Sequence, residues 1–382
     1  MKKRTLMISL VSEFLKVLEH EEVEPAVSMI LGRALPKYSE HALEVSWATL
    51  SEIIRRITGV DWKVFTDAFS KTGDIGAATK IVFESSGVKK QLSLFEKVLA
   101  INDVRKSFEA IAEAVGPGSR EKKERLLEAL LSSASPLEAK YLVKIIIGEM
   151  RTGFHEGLME QAVSEAFHVP LEIVQKASMV LGDVGAVAAI AKAEGKDGLL
   201  KVGFKVFRPV KLMLAQMAND VAEALKEHDG KTAFEYKLDG ARVQIHKEGE
   251  TVKIFSRRLT DVTESLPEIV ETVRQNVKAG SAILEGEVIA VNGEGHPLPF
   301  QHLMRRFKRV HEIEDAASAI PVKLFLFDIL YLNGQSLISL PYIQRRQILE
   351  ENVGEIPLTK QIVTDSVEEA EMFLKEATDA GH

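Results

Sequence analysis

The spacing of apolar residues changes character partway along this 382-residue chain. Up to about residue 200 it keeps a helical period. Leu10, Val11, Phe14, Leu15 and Leu18 recur at intervals that share one helix face, as do Leu126, Leu127, Leu130 and Leu131. Ser135-Pro136-Leu137-Glu138 reads as a capping box with proline at the first helical position, which predicts a helix through Tyr141, Leu142, Ile145 and Ile146. Gly116-Pro117-Gly118-Ser119 predicts the end of one helix and the start of the next. Beyond Phe207-Arg208-Pro209-Val210 the period shortens to two. Val243 and Ile245 alternate with polar neighbours, and Glu248-Gly249-Glu250 turns the chain back through Val252, Ile254 and Phe255. Asn292-Gly293 and Asn333-Gly334 mark further tight turns. One helix interrupts the strands, predicted from a Ser265 cap through Ile269, Val270, Val273 and Val277 to Gly280. The pattern predicts a multidomain chain: an all-α domain over 1–205, then an α+β, mainly antiparallel β, domain over 206–382. Neither a repeat nor a low-complexity tract appears.

Composition narrows the class. The chain is 46% hydrophobic and 27% charged, enough for packed cores beneath a hydrated surface. Its net charge of −7 means that a nucleic-acid surface must be a local basic patch on an acidic body. No run of eighteen apolar residues is present, and Met1-Lys2-Lys3-Arg4 leads into a short mixed segment that turns acidic by Glu13. Neither a transmembrane helix nor a cleaved signal is expected, so the expected location is cytoplasmic. There is no cysteine, which excludes disulfides, thiol catalysis and cysteine zinc sites within the chain.

Candidate chemistry centres on Glu235-Tyr236-Lys237-Leu238-Asp239-Gly240. Lysine attacks a phosphate only as the neutral amine, so it must be held where that form is favoured. Glu235 and Asp239 supply carboxylates, and Gly240 allows a sharp turn behind the amine. Alone, these residues also describe an ordinary strand ending in an Asp-Gly turn. The segments downstream are more specific. Phe255-Ser256-Arg257-Arg258 ends a strand in fixed cations. Ile283-Leu284-Glu285-Gly286-Glu287-Val288-Ile289 is an apolar strand interrupted by two carboxylates. Leu324-Phe325-Leu326-Phe327-Asp328-Ile329-Leu330 sets an aromatic beside an acid. Nucleotidyl transfer needs these types: an amine, a cation on phosphate, carboxylates for ribose and metal, and a ring to stack on a base.

In order and spacing the series resembles motifs I, Ia, III and IIIa of the covalent nucleotidyltransferases, the superfamily of DNA ligases, RNA ligases and capping enzymes. The helical first domain, absent from capping enzymes and small RNA ligases, makes the chain similar to archaeal and eukaryotic ATP-dependent DNA ligases along essentially its whole length. The resemblance implies ATP and magnesium as cofactors and Lys237 as the nucleophile that becomes a lysyl-AMP. It implies Glu235 at the adenine amino group, Phe327 stacked beneath adenine, Arg242 and Glu287 at the ribose, Glu287 also at the metal, and Arg257 at phosphate. Glu285, two residues before Glu287, is a secondary candidate. A capping-type guanylyltransferase is the remote alternative. The NAD-dependent branch carries a different N-terminal region.

The resemblance extends to partners. Gly118-Ser119-Arg120-Glu121-Lys122-Lys123, Met150-Arg151-Thr152-Gly153 and Gly182-Asp183-Val184-Gly185 resemble the family's phosphate-binding loops on nicked duplex DNA. Lys122, Lys123, Arg151, Gly153 and Gly185 are the contact candidates, since glycines let helix N-termini approach phosphates. Gln91-Leu92-Ser93-Leu94-Phe95 resembles a sliding-clamp docking segment, with Gln91, Leu94 and Phe95 as anchors. The alternative packs Leu94 and Phe95 in the helical core. Monomeric action in replication, repair and recombination is implied. His155-Glu156-Gly157-Leu158-Met159 imitates motif IV but precedes Lys237, so it reads as a domain-one helix in which Gly157 permits close packing. Motif IV, motif V and an OB fold do not occur before His382. The expectation is a chain that binds nicks without joining them by itself, a DNA-binding fragment being the alternative to an enzyme. His246 reads as a satisfied surface histidine.

Overall fold

The computed structural model describes residues 2–37, 39, 42–86, 98–228, 230–293, 297–307 and 320–381. The chain forms two compact units, Met1–Val202 and Gly203–His382. The segment with Gln91, Leu94 and Phe95 lies outside the described residues.

The first unit is helical. Its helix Pro136–Ile147 carries both halves of the capping box: Glu138 N–H donates to Ser135 Oγ at 3.3 Å, and Ser135 N–H donates to the Glu138 carboxylate at 2.7 Å. Gly148 stops it in the left-handed region at φ 77°. Gly118, at φ 78°, opens the helix Ser119–Ser132, whose Leu127, Leu130 and Leu131 enter a core with Leu50, Ile53 and Phe108. Each such buried side chain contributes roughly 1.5–3 kcal/mol. The helix Lys2–Val17 uses only part of its apolar stripe. Leu15 is buried, whereas Leu10 is 62% and Phe14 40% exposed. The imitation of motif IV lies on the helix Glu156–Phe167, where Glu156 pairs with Arg33. Close packing is not what Gly157 provides: a Cβ there would meet only the His155 ring, at 3.4 Å.

The second unit has seven strands among the described residues: β1 (Thr232–Glu235), β2 (Ala241–Glu248), β3 (Thr251–Ser256), β4 (Ser281–Ala290), β5 (Val322–Leu332), β6 (Gln335–Ser336) and β7 (Gln361–Thr364). A five-stranded antiparallel sheet runs β3-β2-β4-β5-β6, and β1 pairs with β7 in a separate ribbon. The turn between β5 and β6 holds Asn333 at φ 44° and Gly334 at φ 92°, the two positive values that a tight hairpin requires. Val243, Ile245, Val252, Ile254, Leu284 and Leu326 face a core shared with the helix Pro267–Asn276. That helix begins later than a Ser265 cap would place it and stops at Asn276. Leu266, fully buried, occupies the capping position, and Pro267 supplies the first turn, so burial sets the entry rather than a side-chain cap.

The opposite face of β2 is not solvated. Residues of the Phe207–Val210 segment bond to it: Val210 N–H donates to Gln244 Oε1 at 2.7 Å, and Phe207 N–H donates to His246 Nδ1 at 2.9 Å. His246 is fully buried, not a surface residue, and burial pushes its pKa down to about 3.

Candidate active site

Five segments meet at a cavity of about 230 Å³ in the second unit, the fifth being the run before β7 that brings Thr359. The end of β1 and the loop after it bring Glu235 and Lys237, β2 brings Arg242, β4 brings Glu287 and β5 brings Phe327. Arg242 and Glu287 are directly opposed in the β2–β4 register, so their side chains leave the sheet on one face. Phe327 arrives by a different device. Glu285 pairs with Asp328 and Gly286 with Leu326, leaving Phe327 as the extra residue of a β-bulge. A bulge re-aims a side chain, and the ring here lies beneath the Arg242 guanidinium at 5.6 Å.

The loop that carries Lys237 is held from behind. Tyr236 N–H donates to the Lys360 carbonyl at 3.0 Å, and Lys237 Nζ donates to the Leu238 carbonyl at 2.8 Å. Gly240 acts by close approach rather than by a left-handed turn. It is not among the residues with positive φ, and a Cβ on it would sit 2.3 Å from the Val288 carbonyl oxygen. Its N–H donates to Glu287. Burial pushes the Glu287 carboxyl up, and the nearby Lys237 charge acts against that rise.

Arg242 is aimed by a buried polar chain. Its Nε donates to Glu285 Oε2 at 2.9 Å, and Gln244 Nε2 donates to Glu285 Oε1 at 2.6 Å. His246 Nε2 lies 2.8 Å from Gln244 Oε1. With Nδ1 accepting from Phe207, Nε2 carries the proton and donates. Glu285 therefore faces inward and does not line the cavity. Burial raises its pKa, and Arg242 is the main opposing influence.

Glu235 is the most heavily partnered group. Its side chain is 29% exposed and takes a hydrogen bond from the Tyr342 hydroxyl. Arg346 Nη1 stands 3.6 Å from it. Burial pushes its carboxyl up, against Tyr342 and Arg346. Both partners lie on the helix Tyr342–Asn352, which Arg345 fixes with two 2.8 Å bonds to Asp328. Tyr342, Arg346 and Thr359 were not among the sequence candidates. They come from segments whose local pattern says strand or helix but not against what they pack.

Other candidates fall elsewhere. Arg257 is exposed in the turn closing β3 and does not line the cavity. In the first unit Lys122 is exposed, as is Gly153 at φ 72°, and the Arg151 side chain is 62% exposed beside Glu149 at 2.6 Å. Lys123 turns inward: its ammonium donates to the Leu43 carbonyl at 3.0 Å and pairs with Glu44. Gly185 is buried against Glu24, whose carbonyl oxygen would lie 3.2 Å from an added Cβ. A phosphate cannot reach either without displacing these contacts. Among the described residues no group of three or more His, Asp or Glu is arranged to hold a metal ion. None of the described helices is long and apolar enough to cross a membrane.

The family described as "ATP dependent DNA ligase domain" matches residues 212–382, and "DNA ligase N terminus" matches residues 1–164. A DNA ligase of Thermococcus onnurineus is 43% identical over 382 residues, covering 99% of this chain and 67% of that protein. One from Methanopyrus kandleri is 40% identical, covering 99% and 68%. One from Archaeoglobus fulgidus is 41% identical, covering 97% and 66%. The chain thus spans about two thirds of the length of these relatives. With both family regions in sequence and a lysine-centred cavity in the second, the chain belongs to the ATP-dependent DNA ligases.

Proposed function

We propose that the cavity binds ATP and that Lys237 is the group that becomes adenylylated on the way to sealing a nick in duplex DNA. The observation that supports this most is the convergence of Lys237, Glu235, Arg242, Glu287 and Phe327 from four segments on one cavity. Lys237 Nζ forms a P–N bond to the α-phosphorus and loses its proton, and the bond to pyrophosphate breaks. Glu235 accepts from the adenine amino group, Phe327 stacks on the base, and Arg242 and Glu287 hold the ribose. AMP then passes to the 5′-phosphate of the nick, and the 3′-hydroxyl attacks it and expels AMP.

Glu287 fits a magnesium ion that arrives on the triphosphate, because such ions take one or two carboxylates and keep phosphate oxygens and waters. When bound, the ion offsets charge on the phosphates. Duplex DNA is held by phosphate contacts from Lys122, Arg151 and the Gly153 backbone, and Arg257 meets phosphate from the β3 turn. Docking on a sliding clamp through Gln91, Leu94 and Phe95 rests on the resemblance of that segment alone. Monomeric action in replication, repair and recombination rests on the family resemblance of the whole chain, and a cytoplasmic location on the hydropathy pattern of the sequence.

The test is transfer of label from α-labelled ATP in the chain carried to the length of its relatives. Lys237→Ala should abolish it; labelling that survives the substitution overturns the assignment.

A further inference from the structure

The same cavity contains a polar group to which the nucleotide reading gives no role. Thr359 lines it, is 4% exposed, and its hydroxyl has no hydrogen-bond partner. The backbone around that hydroxyl is fixed: Thr359 N–H donates to the Leu326 carbonyl at 3.0 Å, and its carbonyl accepts from Arg346 Nη2 at 3.1 Å. A buried hydroxyl left unpaired is disfavoured, and such groups mark places where something binds.

Its position follows from the ribbon. Glu235 pairs with Gln361 at the end of the ladder, Tyr236 N–H bonds the Lys360 carbonyl just beyond it, and Lys237 and Thr359 both line the cavity. The Thr359 hydroxyl therefore shares one cavity with Glu235 and Lys237. The Glu235 carboxylate is held by the Tyr342 hydroxyl and Arg346, with Gln361 Nε2 at 3.4 Å.

We propose that the Thr359 hydroxyl donates to ring nitrogen N1 of the bound purine, next to the amino group that Glu235 accepts, making Thr359 a base-specificity residue. An acceptor beside a donor is the complement of adenine, which offers an amino donor beside an acceptor nitrogen. Guanine presents the reverse order, an oxygen beside an N–H. The hydroxyl can turn to accept, but an ionised carboxylate cannot donate, so Glu235 and Thr359 together favour adenine. This inference rests on the nucleotide reading of the site.

Equilibrium binding of ATP, 1-deaza-ATP and 7-deaza-ATP to the 382-residue chain tests it, with Thr359→Val, Thr359→Ser and Phe327→Ala as variants. Thr359→Val should weaken ATP about tenfold, equivalent to about 1.4 kcal/mol. It should cost nothing with 1-deaza-ATP, which lacks the accepting nitrogen, and Thr359→Ser should restore ATP binding. A penalty that persists with 1-deaza-ATP, or that vanishes only with 7-deaza-ATP, overturns the assignment of Thr359. If the unaltered chain binds no ATP, or Phe327→Ala leaves ATP binding unchanged, the nucleotide reading fails and the inference with it.

Discussion

Lowering the pH from 7.5 to about 5 should loosen the β2–β3 hairpin by about 2 kcal/mol through His246 alone. The ring is fully buried, accepting at Nδ1 from Phe207 and donating at Nε2 to Gln244. Burial holds its pKa at about 3, against 6.5 when solvated. The unfolded chain takes up a proton near pH 6.5, and the folded chain does not until near pH 3. This contribution is therefore complete well above pH 6.5, half-way into its slope at 6.5, and falls by about 1.4 kcal/mol for each pH unit well below it. Between pH 7.5 and 5 the net loss is about 2 kcal/mol, or about thirtyfold in an opening equilibrium. Burial raises the carboxyls of Glu235, Glu285 and Glu287, which stay protonated more readily in the fold and so act in the opposite direction on acidification. A comparison with His246→Asn isolates the imidazole, because asparagine can still accept from the Phe207 N–H but does not titrate. The assay is hydrogen–deuterium exchange of peptides from Thr251–Ser256, corrected for intrinsic rate, in both proteins at both pH values. Protection in the unaltered protein should fall about thirtyfold more than in the variant. Equal pH dependence in the two would show that His246 is not the titrating group that loosens the hairpin.

Other contacts carry measurable costs of their own. Gly240→Ala drives a Cβ to 2.3 Å from the Val288 oxygen and should cost about 1–3 kcal/mol, read as a lower melting temperature of the second unit. Gln244→Leu strands the Val210 N–H and a Glu285 oxygen, so it should lose about 2–4 kcal/mol in urea denaturation; a loss below about 1 kcal/mol would show the chain to be loosely bonded. On duplex DNA, Lys122→Ala and Arg151→Ala should each lower the slope of log affinity against log salt by about one. Lys123→Ala should leave the slope alone and reduce thermal stability, since its ammonium is spent on Leu43 and Glu44.

The helix-to-strand change of period, the capping box at Ser135 and the hairpins at Gly249 and Asn333-Gly334 were legible because each depends on neighbours in sequence. So was the grouping of Lys237 with Glu235, Arg242, Glu287 and Phe327, since motif order stands in for distances that local pattern cannot supply. The features that stayed hidden depend on distant chain. Gln244 and His246 alternate with Val243 and Ile245 and so look solvated, but residues 207–210 cover that face. Lys123 sits in a basic run and looks like a phosphate contact, but the Leu43 carbonyl lies across from it. Nothing near Thr359 announces that its segment lines the same cavity as Lys237. The Phe327 bulge is likewise invisible, because it exists only relative to β4.

The β1–β7 ribbon gives the site an order of assembly. Glu235 and Gln361 are 126 residues apart, and β1 has β7 as its ladder partner. Closing a loop of that length costs about 4 kcal/mol in chain entropy beyond the constant term. The five-stranded sheet, whose ladders join strands nearer in sequence, can form while that cost is still unmet. During synthesis Lys237 is therefore made long before the strand that backs it. A nascent chain halted before Lys360 has Lys237 and lacks its wall, so the cavity is complete only once that late segment has docked.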